Sequence, residues 1–184
     1  MSVTAIAAFL LGTIILIIIS RKSLKNHASH GFYRFFAFEL MLIMVIIIAP
    51  VWSEDPFSLQ QQISWSFSLA SLMLIIHSIT LLLVMGLPQN SRPESSNLAF
   101  ENTTRLVVVG VFRFIRHPMY MSIILLNLGI LLKAPTYVTV GLGFMVVVFL
   151  YIAARVEEKE NIAYFGEEYL NYMKKTKMFI PFIF

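Results

Sequence analysis

A succession of apolar runs, each too long for a small soluble core to absorb, constrains this chain more than any other feature. Val3 to Ile19 carries no charged residue and stops at Ser20-Arg21-Lys22, close to the roughly 20 residues that a helix rising about 1.5 Å per residue needs to cross a bilayer. Phe32 to Ala49 is the second run, stopped by Pro50, with Trp52 where an interfacial aromatic belongs. Ile63 to Leu87 is the third, ended by Gly86 and Pro88. Met119 to Leu132 is a fourth of modest length, with Pro118 suited to a first helical turn. Tyr137 to Ala154 is the fifth, expected to continue through Glu157 to Tyr164 until Gly166 offers a stop. The expectation is an all-α, polytopic membrane helix bundle of about five transmembrane helices in one integral membrane domain spanning 1–184. Composition agrees: 58% hydrophobic and 13% charged residues contrast with the roughly 45–50% and about 25% of soluble domains.

Charge sets the topology. The basic residues lie in the connections between apolar runs and form no patch with interleaved aromatics, so no nucleic-acid partner is expected. With the N-terminus outside and the C-terminus cytoplasmic, every Lys and Arg except Lys133 falls on the inside, as the positive-inside rule requires. No basic residue precedes the first run and a basic cluster follows it, which favours a membrane helix over a cleaved leader. The tail, 167–184, mixes lysines with aromatics and reads as an interfacial segment with an apolar anchor. The absence of cysteine excludes disulfides, thiolate metal sites and a cysteine nucleophile. The four histidines show no metal-ligand spacing, so no metal is expected, and no GxGxxG fingerprint or internal repeat is present. Gly141 and Gly143, inside the fifth run, are expected to let helices pack closely.

Against this background the polar residues at one end of the last two runs stand out. Between Gly110 and Tyr120 the chain offers Arg113, Arg116, His117 and a phenol, groups that suit a carboxylate or phosphate. Across the helical hairpin, Glu157 and Glu158 suit an ammonium, ribose hydroxyls or another positive centre. A zwitterionic ligand would satisfy both walls, and S-adenosylmethionine has that pattern. Plainer readings exist for each piece: Arg113 and Arg116 as topology anchors, Tyr120 as a belt residue, the glutamates as a solvated helix end paired with Arg155 and Lys159.

The combination of Gly110-Val111-Phe112, Arg116-His117-Pro118-Met119-Tyr120, Glu157-Glu158, Phe165-Gly166-Glu167-Glu168-Tyr169 with Tyr172, and a late Pro181 resembles the isoprenylcysteine carboxyl methyltransferase family. The resemblance covers roughly the last 85 residues; Phe112 stands where that family usually has Tyr, and Asn161 where its EExxL pattern has Leu. It implies an integral membrane methyltransferase that moves a methyl group from S-adenosylmethionine to a lipophilic acceptor: an isoprenylcysteine-like carboxylate, a lipid amine or a thiol. It divides the domain into a three-helix N-terminal half, 1–87, and a cofactor-binding C-terminal half, 88–184, with the site facing the cytoplasm. Carried over residue by residue, it implies a cofactor site of His117, Pro118, Tyr120, Glu157 and Glu158, with Val109, Gly110 and Val111 at the adenosine end. Arg116, Glu158 and His117 would then carry catalysis, with Arg116 touching the cofactor carboxylate or an anionic acceptor. Glu39 and His77, ionisable residues within apolar runs, are candidates for the acceptor side. Two other classes compete: a membrane reductase using NADPH on a sterol-like or lipid substrate, and a non-enzymatic transporter or assembly factor.

Overall fold

Residues 2–89 and 98–184 are described by the structure, a computed structural model; Arg92, one of the basic residues assigned above to the inside, lies outside the described residues. The described chain is helical, with only the isolated bridges Pro88–Thr103 and Ile115–Lys177 as extended pairing. Helix α1 (Val3–Leu24) starts at Ser2, whose hydroxyl accepts the Ala5 N–H, and α2 (His30–Ile48) ends in a tight turn at Pro50. Helix α3 (Leu59–Met85) is capped by Ser58 and stops at Gly86. A side chain at Gly86 would strike Thr103, 2.5 Å away. Helix α4 (Pro118–Lys133) takes proline in its first turn, and α5 (Tyr137–Phe165) opens on a reciprocal cap between Thr136 and Thr139. Helix α6 (Glu167–Lys175) follows directly after Gly166, whose φ of +59° lies in the region that favours glycine. Helices α1, α2, α3 and α5 are long and apolar enough to cross a membrane; α4, with 16 residues, is shorter. The expected fold class holds.

The bundle is assembled by two different kinds of contact. Ala37, Met41, Met44 and Ile48 form one stripe of α2, and with Val146, Leu150, Ala153 and Ala154 of α5 they belong to a single buried apolar core. Helices α3 and α4 meet through small polar residues instead. Ser64, Ser71 and Ser78 recur at heptad spacing and are all buried; Ser64 donates to the Gly129 carbonyl at 2.7 Å and Ser71 to the Ser122 carbonyl at 2.6 Å. Among lipid tails a hydrophobic surface gains little by meeting another, so close approach and interhelical hydrogen bonds hold such pairs. Between α4 and α5, Asn127 donates to the Gly143 carbonyl at 3.1 Å. A Cβ at Gly143 would lie 2.8 Å from Leu131, as expected of a packing glycine. Gly141 departs from that expectation: nothing lies within 4 Å of where its Cβ would be, because it faces away from α4. Helix α1 packs on the outside of α2, where Thr13 donates to Glu39 at 3.0 Å.

The far end of the bundle is closed by Lys133, buried with its ammonium 2.9 Å from Gln61 and 3.6 Å over the Trp65 ring. The opposite end brings together the α1–α2 connection, the segment 98–117, the end of α5 and α6. Glycine contacts within the bundle are directly testable. Gly129→Ala would place a methyl 2.5 Å from the Ser68 hydroxyl and 3.0 Å from the Ser64 carbonyl, and should destabilise the protein by about 1–3 kcal/mol. Gly141→Ala should leave stability unchanged or raise it slightly; thermal unfolding of both variants in detergent checks the contrast.

Candidate functional site

The site is built on the turn that precedes α4. Gly110 enters it with φ +58°, and a Cβ there would lie 2.6 Å from Leu81 and 3.0 Å from His77 Nε2, so only glycine lets this strand of chain lie on α3. A tight turn at Gly110–Arg113 follows, and His117 becomes the N-cap residue of α4, its carbonyl accepting the Met121 N–H at 3.0 Å. The backbone donors of Arg116 and His117 lie ahead of the helix. A strap running on from α6 satisfies them, through the carbonyls of Lys177 at 2.8 Å and Met178 at 3.1 Å, while Lys177 N–H donates to Phe114 at 3.0 Å.

Side chains lock this arrangement. Arg116 donates through Nε to Glu158 Oε1 at 2.8 Å, its Nη2 lies 2.7 Å from the same oxygen, and Nη1 donates to the Thr176 carbonyl at 2.6 Å. One guanidinium therefore joins the turn, α5 and the end of α6. His117 sits beside it, with Nε2 3.6 Å from Glu158 and Nδ1 3.9 Å from Glu157, neither at hydrogen-bonding distance. Its ring stacks on Tyr120 with centroids 5.6 Å apart. Tyr172 donates to the Phe112 carbonyl at 2.7 Å and fixes α6 against the turn.

These elements surround a hollow that is partly open to its surroundings. Its polar lining includes Glu101, Arg116, His117, Tyr120, Glu157, Asn161 and Tyr169. Leu82, Leu106, Val107, Phe112 and Phe165 supply apolar surface. The Tyr120 hydroxyl and His117 Nε2 are buried on this lining without a hydrogen-bond partner, and buried polar atoms left in that state ask for a ligand or water. Burial pushes the Tyr169 phenol well above its usual range, and the Glu157 carboxylate adds to the shift, so this hydroxyl keeps its proton.

Arg116, His117, Pro118, Tyr120 and Glu157 thus come together at one hollow. Glu158 stands behind it, held by Arg116. Arg116 lines the hollow, but its guanidinium is occupied by protein acceptors. Val109, Gly110 and Val111 are displaced from the lining; Val107 and Phe112, on either side of them, take that place because Gly110 is pressed against α3. Glu39 lies at the α1–α2 contact, and His77 is exposed on α3 beside Gly110; neither lines the hollow. Lining residues outside the set expected from the sequence include Asn161, Tyr169 and Glu101. Asn161 is one helical turn beyond Glu157, a spacing that marks a shared face. Tyr169 belongs to the aromatic pattern after Gly166, whereas Glu101 has no local signal at all.

Glu101 is held by Arg34 of α2, which donates to Oε1, and by the Leu98 N–H, which donates to Oε2 at 2.7 Å. Burial alone would raise its pKa; Arg34 and His30 overcome this and hold the carboxyl at about 2, below its ordinary 4.5. A folded value below the unfolded one means that the stabilisation is complete above about pH 4.5 and is lost as pH falls towards 2. Glu101→Gln should accordingly flatten the acid limb of the stability profile between those values. Unfolding temperatures measured across that pH range check this, and an unaltered limb would refute it.

Comparison with known proteins places this geometry. Residues 70–163 match the model of the isoprenylcysteine carboxyl methyltransferase (ICMT) family, a segment that holds the turn, α4 and most of α5 but neither α2 nor α6. Protein-S-isoprenylcysteine O-methyltransferase of Homo sapiens is 35% identical over 86 residues, covering 45% of this chain and 29% of the relative. The Rattus norvegicus protein of the same name is 31% identical over 131 residues, covering 67% and 44%. Methanethiol S-methyltransferase of Crocosphaera subtropica is 35% identical over 74 residues, covering 39% and 28%. The chain spans less than half the length of each of these relatives, and no solved structure matches it. The matched segment takes in just over half of the chain and carries most of the lining of the hollow, and on that ground the chain belongs to the isoprenylcysteine carboxyl methyltransferase family.

Proposed function

We propose that this protein is a membrane methyltransferase that carries a methyl group from S-adenosylmethionine to a lipophilic nucleophile. The observation that supports it most directly is the donor set of the hollow, which joins the carboxylates of Glu101 and Glu157 to a hydroxyl and an imidazole with unmet hydrogen-bonding capacity. S-adenosylmethionine fits that set in chemical type, since it joins an ammonium and a sulfonium to a carboxylate. Glu157 is the natural partner for positive charge; the Tyr120 hydroxyl and His117 Nε2 are natural donors to the carboxylate. Residues 88–184 supply nearly all of these groups, and the positive-inside distribution of Lys and Arg supports a cytoplasmic opening. The relatives are named for methyl transfer to isoprenylcysteine and to methanethiol, which supports an acceptor with a lipophilic body and a carboxylate or sulfur nucleophile.

When bound, S-adenosylmethionine supplies a methyl group already activated by its sulfonium charge. The chain's own work is then alignment and exclusion of water. Leu82, Phe112 and Phe165 keep the hollow apolar around its polar lining. The Arg116 to Glu158 clamp fixes the turn against α5, so that His117 and Glu157 keep their relation. A carboxylate acceptor needs no base, whereas a thiol must lose a proton, and Glu157 and His117 are the lining groups able to accept it.

Titration calorimetry of the purified protein with S-adenosylmethionine tests the reading, and absence of saturable binding would sink it. Tyr120→Phe should weaken binding by up to about tenfold, the cost of one neutral hydrogen bond, and Glu157→Gln by roughly 10- to 150-fold, the cost of a charged one. Lys174→Ala, on the exposed face of α6, should leave affinity unchanged.

A further inference from the structure

The first turns of α2 contribute no group to the lining of the hollow, yet both of its carboxylate-bearing walls hang from them. Ser29 occupies the N-cap position of α2 but makes no side-chain cap bond; its hydroxyl donates instead to the Asn26 carbonyl at 2.8 Å. The missing cap is supplied from α5. Glu160 accepts the His30 N–H at 3.2 Å, and its second oxygen lies 2.5 Å from His30 Nδ1. A carboxylate at a helix N-terminus is favourable both as an acceptor and against the helix dipole. Glu160 lies three residues beyond Glu157 on the same helix, so the contact that fixes Glu160 also fixes the rotation of α5 that aims Glu157 at the hollow. One turn further along α2, Arg34 binds Glu101 on the facing wall. The His30 and Arg34 side chains are only 2% and 7% exposed, and His30 Nε2 lies 3.8 Å from Glu101.

We propose that His30 and Arg34 are positioning residues of the hollow: two successive turns of α2 set the separation and orientation of its Glu101 and Glu157 walls. Both residues precede the segment that matches the family model, so the wall geometry of this chain depends on residues that the family match does not contain. A pair that served stability alone would be replaceable by neutral groups at little cost, since removing both partners of a buried pair is often tolerated whereas removing one is not. A positioning pair differs in that the order of the wall it holds does not return with stability. The ligand arm of this proposal rests on the methyl-transfer reading; the geometry arm does not.

Full-length protein in lipid nanodiscs is compared as wild type, Arg34→Gln, Glu101→Gln and the double variant, by thermal unfolding, by amide hydrogen exchange without ligand, and by calorimetry with S-adenosylmethionine. In Arg34→Gln, exchange over 98–107 should rise at least tenfold and affinity should fall about tenfold. In the double variant the unfolding temperature should return close to that of the wild type while exchange over 98–107 stays fast; exchange is the deciding readout there, because Glu101 itself lines the hollow. Recovery of affinity together with stability would overturn the proposal, as would wild-type exchange over 98–107 in both Arg34 variants. Should Arg34→Gln fail to fold, Glu101→Gln and the double variant carry the same comparison. If wild-type protein does not bind S-adenosylmethionine, the methyl-transfer reading fails on its own, and the exchange measurements still decide whether α2 holds the wall.

Discussion

A buried charge that finds no partner costs several kcal/mol, and the functional end of this protein is arranged around that constraint. Two guanidinium groups are taken largely out of solvent there, and each is matched to a carboxylate from a distant part of the chain: Arg116 to Glu158, and Arg34 to Glu101. Because the partners belong to different helices and connections, satisfying the charges also fixes the relative placement of α2, α5, the turn before α4 and the segment at 98–103. Arg116 shows the principle most fully. Its third nitrogen reaches the Thr176 carbonyl, so the strap that supports the turn through backbone hydrogen bonds is tied to the same cation.

This economy separates two kinds of polar residue that look alike in the sequence. Arg116, Glu158, Arg34 and Glu160 are each bonded to a protein partner. Tyr120 and His117 lie on the hollow with buried atoms unmet, and they are the groups open to a ligand. Arg116, which the resemblance puts in contact with cofactor or acceptor, lines the hollow while its guanidinium holds Glu158 and the Thr176 carbonyl. This arrangement also gives the N-terminal half a part in the site, through α2, although that half lies mostly outside the family match.

Legibility varied with the range of the interaction. Helix positions were readable because each depends on a local run and a local stop: Pro118 opens α4 and Gly166 ends α5. The all-α membrane architecture was readable for the same reason, and the family pattern already grouped His117, Tyr120 and Glu157, which line one hollow. The pairing of α3 with α4 had a signal in the heptad recurrence of Ser64, Ser71 and Ser78, which is visible once hydroxyl-bearing residues are followed as carefully as apolar ones. Gly141 and Gly143 show the limit of such reasoning, since they are neighbours in the same run and only Gly143 meets another helix. Glu39 and His77 carry the same signal of a charge among apolar residues, yet they lie at α1 and beside Gly110, away from the hollow.

By itself the sequence determined a membrane helix bundle, its succession of helices, and a cluster of complementary charges at one end, because these follow from run length, capping chemistry and spacing along one chain. Tertiary structure alone decided which charges answer each other. That Arg34 meets Glu101, that His30 meets Glu160, and that Val107 and Phe112 line the hollow in place of Val109 to Val111 depends on how helices distant in sequence are rotated and stacked. No periodicity encodes such contacts. They are fixed only when the whole bundle has packed and each buried charge has found its partner.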